Sequence, residues 1–202
     1  MTNQIENGKE KHWTHRADNY QRLVEAGYKV LSEKGYEATT VKEVAHEAGV
    51  SPGLFHYYFA SKDKLLLAVL QESGTRYGQL MKEAGDNVPL DQLPQATINA
   101  ARQRVKQEPQ WYRLRFELFA LALRNPTFLP VLGDLLSFIR QMTAEPLQHF
   151  TAGDEPKAQA LAAIVLACFD GLALQQLAQP DADLTKAYEL LLEFIQKVSS
   201  DN

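Results

Sequence analysis

The chain has 202 residues, 45% of them hydrophobic, enough apolar material for one large domain or two small ones, and this excludes disorder over most of its length. Charged residues make up 23%, with Lys+Arg 21 against Asp+Glu 25, and the net charge of -4 on its face argues against a nucleic-acid partner. A single cysteine, Cys168, excludes an intrachain disulfide or a site needing two cysteine ligands and suits a reducing cytoplasm. The polar N-terminus, MTNQIENGKEKHW, lacks the apolar stretch of a secretory signal. The longest apolar run, Ala160 to Phe169, is about half a bilayer span, so a cytoplasmic protein with no membrane partner is expected.

Apolar residues recur at helical spacing almost throughout, which predicts an all-α chain of about nine helices. Residues 1–14 carry Gly8, several charges and little to bury, and read as a flexible arm. The first helix is expected from about Arg16 to Lys34, with Tyr20, Leu23, Gly27, Val30 and Leu31 on one face and Gly35 at its left-handed end. Thr40-Val41-Lys42-Glu43 is a capping-box pattern opening a second helix that Gly49 stops. Ser51-Pro52 restarts a third helix with a cap and a pre-set φ, and Ser61 caps a fourth that runs to about Glu83. Later helices are expected at about 93–107, 110–124, 127–150, 156–178 and 184–198, punctuated by Pro126, Gly153, Pro156 and Pro180.

Two short helices separated by Ala48-Gly49-Val50 have helix-turn-helix spacing. Gly49 permits the positive φ of the turn, Ala45 lets the helices approach, and Val50 plugs the angle between them. The second of the pair is then free to enter a major groove with its N-terminal residues at the base edges. His56, Tyr57 and Tyr58 carry hydrogen-bonding tips able to reach phosphates or bases, and Lys62 begins the next helix where a phosphate would pass. The third helix has no Lys or Arg, so base reading would rest on close contact by Pro52, Gly53 and Leu54, such as with a thymine methyl, with cations from Lys42, Lys62 and Lys64. Phe55 and Phe59 fall on the inward face with Val44 and Val50.

The ordered string Thr40-Val41-Lys42-Glu43-Val44-Ala45, Ala48-Gly49-Val50-Ser51, Gly53, Phe55, Tyr57, Phe59 and Ser61-Lys62-Asp63-Lys64-Leu65 resembles the TetR family of bacterial transcriptional regulators. The resemblance spans about residues 15–70. It implies an N-terminal three-helix DNA-binding domain at 15–65 and a larger helical ligand-binding and dimerisation domain at 66–202. It also implies a homodimer on a palindromic double-stranded operator, repressing until a small effector binds. Carried over by position, Lys42, Pro52, Gly53 and Leu54 would face bases, and Thr40, Ser51, His56, Tyr57 and Lys62 would hold phosphates. Leu54 and His56 depart from the residues frequent in the family at those positions, which bears on the operator sequence.

Rival chemistry is thin. Glu43-x-x-His46 has the spacing of a carboxylate metal-ligand pair, but no second such motif exists, and a capping Glu beside an exposed His is the simpler reading. No catalytic, nucleotide or metal motif is present, so neither catalytic residue nor cofactor is expected. Cys168 sits in an apolar run and reads as packing. The last two expected helices are apolar on more than one face, which points to a dimer interface carried by Leu161, Val165, Cys168, Leu172, Leu184, Tyr188, Leu191 and Ile195. Trp111, Tyr112, Phe116, Phe119, Phe138, Met142 and Phe169 fall where the resemblance implies an inducer pocket, and their character suggests a hydrophobic or amphipathic effector. The alternative is a helical small-molecule-binding protein or enzyme without DNA function. Residues 1–65 hold nine Lys+Arg against nine Asp+Glu, and residues 66–202 twelve against sixteen, so the excess acidity lies outside the DNA motif.

Overall fold

A computed structural model of the chain describes the backbone of residues 3–86 and 88–200, and the side chains from Asp18 to Val198 apart from residues 77, 80, 81, 84, 86 and 87. Every regular element among the described residues is helical: α1 (Asn3–Ala38), α2 (Val41–Glu47), α3 (Pro52–Tyr58), α4 (Lys62–Asp86), α5 (Leu93–Gln107), α6 (Pro109–Arg124), α7 (Leu129–Leu147), α8 (Glu155–Ala178) and α9 (Thr185–Ser200). Short 3₁₀ turns precede α5 at Leu90–Gln92 and follow α7 at Gln148–Thr151. The chain divides into two compact units, residues 1–73 and 74–202, with the division inside α4, about two turns beyond the sequence-based boundary at 65.

In the first unit α1 begins well before Arg16. Its backbone is helical from Asn3, through the segment expected as an arm, whose side chains lie outside the described residues together with Met1 and Thr2. Gly35, at φ 78°, ends the regular helix where the sequence places its stop, and a short helical turn continues to Ala38. The core is built from Leu23, Val24, Val30 and Leu31 of α1, Val44 and Ala45 of α2, Phe55 and Phe59 from around α3, and Leu65, Leu66, Val69 and Leu70 of α4. Gly27 allows α1 and α4 to touch, since a Cβ there would lie 2.9 Å from Leu65 Cδ2 and 3.0 Å from Val69 Cγ2.

The second unit closes around Ile98, Ala144, Leu147, Ala158, Leu161, Ala162, Val165, Tyr188, Leu191 and Ile195, contributed by α5, α7, α8 and α9. Asp154 caps α8 by accepting from the Lys157 amide at 3.0 Å, after a turn in which Ala152 and Gly153 both take positive φ. Arg115 of α6 donates to both carboxylate oxygens of Asp170 on α8, at 3.1 and 3.0 Å, and so ties the two helices side by side. α8 is long and apolar enough, by length and composition alone, to cross a membrane, yet it carries Asp170 and contributes Ala158, Leu161, Ala162 and Val165 to this unit's core.

Candidate nucleic-acid interface

The helix-turn-helix is assembled by three side-chain caps in succession. Thr40 accepts from the Glu43 amide at 3.3 Å while the Glu43 carboxylate accepts from the Thr40 amide at 3.0 Å, the reciprocal box that the sequence predicts. Ser51 Oγ accepts from the Leu54 amide at 3.2 Å, and Ser61 Oγ from the Lys64 amide at 3.3 Å. Between α2 and α3, Gly49 adopts φ 64°, and the Val50 amide donates back to the Ala45 carbonyl at 2.9 Å. Arg22 of α1 reaches across the turn and donates Nη2 to the Ala48 carbonyl at 2.6 Å.

This scaffold turns one face of α3 outward. Ser51, Pro52, Gly53, His56 and Tyr57 are exposed, Tyr57 by 59%, while Leu54 is half-buried and Phe55 fully buried. Tyr57 and Tyr58 meet edge to face at 5.1 Å, and Tyr58 meets Tyr20 of α1 at 6.3 Å, so the aromatic rings of α3 lean on one another and on α1. Thr40 and Lys42 are exposed at the start of α2.

Lys62 is placed differently from its expected role on phosphate. Its ammonium donates to the Tyr36 carbonyl at 2.6 Å and sits 4.1 Å above the Tyr36 ring, at the end of α1. The unpaired carbonyls that close a helix attract a cation, and that attraction holds Lys62 in the scaffold. The Tyr36 hydroxyl in turn donates to Asp63; burial first, then that hydrogen bond, hold its phenol above the usual range. Other cations of the unit are likewise engaged, Lys29 with Glu47 at 2.7 Å and Lys34 with Glu43 at 2.6 Å. Apart from Arg22, which is engaged with backbone carbonyls, Lys42 and Lys64 are the exposed cations without a carboxylate partner among the described residues of the first unit, each in the first turn of a helix.

Arg22, Lys29, Lys34 and Tyr36 are the residues that sequence reasoning missed. Their partners lie 9 to 27 positions away, so no local spacing announces them.

The second unit holds a cavity of about 380 Å³ lined from α4, α5, α7, both 3₁₀ turns, α8 and α9. Phe138, Met142 and Phe169 line it. Trp111, Tyr112, Phe116 and Phe119 are not on its described lining. They form a separate row on α6, with Tyr112–Phe116 and Phe116–Phe119 ring contacts at 6.4 Å, Trp111 5.5 Å from the Arg104 guanidinium and Phe119 4.7 Å from that of Arg115. Aromatic residues at helical spacing here pack with their own helix and its neighbours, and spacing alone cannot separate that from a ligand wall.

The residues expected as a dimer stripe take part in the chain's own packing. Leu161, Val165, Tyr188, Leu191 and Ile195 are buried in the chain's own core, with Cys168, Leu172 and Leu184 packed against it. The large apolar residues left exposed on the same helices are Ile164, Leu174, Leu190 and Phe194, between 41% and 54% accessible. A helix apolar all round gives no sequence signal for which face meets the body.

The description "Bacterial regulatory proteins, tetR family" matches residues 23–69, and "Tetracyclin repressor-like, C-terminal domain" matches residues 91–197, over half of the chain. The chain belongs to the tetR family of bacterial regulatory proteins. The HTH-type transcriptional regulator BetI of Brucella canis is 39% identical over 77 residues, 36% of this chain and 38% of that protein. BetI of Rhizobium meliloti is 36% identical over 78 residues, 39% of this chain and 37% of its own length. The match thus spans well under half the length of these relatives. Among solved structures, the fatty acid degradation regulator FadR from Bacillus halodurans superposes with TM-score 0.68 at 17% identity, covering 88% of this chain and 94% of that one. A TetR transcription regulator from Haloarcula marismortui superposes with TM-score 0.67 at 22% identity, covering 92% and 98%. Both likenesses are of fold.

Proposed function

We propose that the chain is a non-enzymatic, cytoplasmic transcriptional repressor that binds a palindromic operator as a homodimer and leaves it when a small hydrophobic or amphipathic effector binds. The observation that carries this reading is the capped α2–α3 pair, turned at Gly49 and clamped by Arg22, which presents the exposed N-terminal face of α3. On DNA, Pro52, Gly53 and Leu54 meet base edges with Lys42 beside them. Thr40, Ser51, His56 and Tyr57 hold phosphates, and the amides at the helix starts add donors. Lys62 acts behind this surface by fixing the end of α1.

α4 starts at this motif and its later turns line the cavity, so an effector has a continuous helix to act on. Recognition helices in a dimer must meet major grooves about 34–36 Å apart, and a shift of a few ångströms costs much of the specific affinity.

The test is sequence selection followed by gel shift with the full chain. Wild type enriches a palindrome. Tyr57→Ala and Lys42→Ala weaken its binding by roughly tenfold or more, the loss expected for one good contact. A wild-type chain that enriches no sequence would sink the reading.

A further inference from the structure

The cavity of the second unit has walls of one chemical kind and a mouth of another. Leu93, Ile98, Ile139, Met142, Leu166 and Phe169 supply an apolar interior. The two threonines on the wall offer it no proton, because Thr97 donates to the Leu93 carbonyl and Thr143 to the Ile139 carbonyl, each at 2.9 Å within its own helix. Among the described residues, Lys82, Glu145 and His149 are the ionisable groups on the lining, and all three are exposed to solvent.

Among the described residues, three of the four that α4 gives the cavity are glycines. Gly74, Gly78, Lys82 and Gly85 line it, four positions on one face of the helix. Packing does not demand glycine at the first two. A Cβ at Gly74 would lie 3.5 Å from Leu135 Cδ1 and one at Gly78 3.4 Å from Met142 Cε, ordinary contact distances. What the missing methyl groups leave is a strip running from buried Gly74 to exposed Lys82, about 12 Å at the helical rise. An extended alkyl chain of about ten carbon–carbon bonds has that length.

We infer that the cavity takes a single-chain amphipath with a carboxylate head, its alkyl chain lying along the glycine face of α4 and its head at Lys82. The inference rests on the effector reading above and names the ligand class. An interior whose described side chains offer no donor disfavours sugars, nucleotides and other ligands polar along their length, which would lose their hydration unreplaced. At the mouth, Lys82 and His149 both donate to a carboxylate, and Lys82 has no carboxylate partner among the described residues. Among the described residues a cationic head would have Glu145 as its one carboxylate and would face Lys82.

Calorimetric titration of the full chain with decanoate, decan-1-ol and decyltrimethylammonium, all kept below micelle formation, tests the assignment. Decanoate saturates one site per chain and binds roughly fivefold tighter than the alcohol, the scale of an exposed charge contact. Lys82→Met brings the acid down to the alcohol and leaves the alcohol unchanged. Gly78→Leu fills the strip and removes both ligands while the chain still melts cooperatively. The proposal is overturned if the ammonium binds as tightly as the acid, if Lys82→Met leaves the preference intact, or if no decyl compound binds. A gel shift separates this from the function itself. Decanoate that binds without releasing DNA leaves the ligand class standing and removes only its effector role.

Discussion

At Glu43 one carboxylate closes three hydrogen bonds, from the Thr40 amide at 3.0 Å, the Thr40 hydroxyl at 2.9 Å and the Lys34 ammonium at 2.6 Å. Lys34 first, then Thr40, hold its acid from an ordinary 4.5 down to about 2. The unfolded chain therefore binds the proton more readily over that interval. The carboxylate's contribution is complete above about pH 4.5 and is lost as pH falls through about 2. Urea denaturation followed from pH 5 to pH 2 should show stability falling in wild type and a shallower fall in Glu43→Gln. Equal slopes would mean that the carboxylate contributes nothing through these bonds. The Thr40–Glu43 box is legible in the sequence because its partners are three residues apart. Lys62 is not, since the motif that contains it is equally compatible with a phosphate contact and with the capping of a helix that ended 26 residues earlier.

Among elements, the α2–α3 turn is the most tightly determined. Gly49 sits at φ 64°, and a Cβ there would come 2.8 Å from Arg22 Nη2. Gly49→Ala combines left-handed strain with a displaced Arg22, and should cost about 1–2 kcal/mol or somewhat more. The measurement is the shift in urea midpoint, with Gly133→Ala as a control at a glycine where a Cβ meets nothing within 4 Å. A shift at position 49 no larger than the control would refute the strain. Helix boundaries from α5 onward were legible to within a few residues because Pro94, Pro109, Pro130 and Pro156 sit in first turns that local chemistry dictates. Facing was not. Hydrophobic periodicity finds a stripe, but α8 carries apolar residues in every direction, and only the partners α5, α7 and α9 decide which of them are core.

For the whole molecule, the corrected facing relocates the surface available to a second copy. In the dimer proposed above it lies on Ile164, Leu174, Leu190 and Phe194 rather than on the buried stripe. Ile164→Asp with Phe194→Asp should sediment as a monomer and keep its helical signal, whereas Leu161→Asp should lower the melting temperature by placing a charge in the core. A double variant that still sediments as a dimer would move the interface elsewhere. The glycines of α4 carry a different consequence. Gly74, Gly78 and Gly85 give the second half of that helix weak intrinsic propensity, and where they border the cavity no side chain of their own stiffens it. In the effector reading proposed above, an occupant laid against them would supply the contacts that the sequence withholds and leave the helix more rigid full than empty. On that reading the signal passed along α4 includes a change in how much the helix bends, beside any displacement of it.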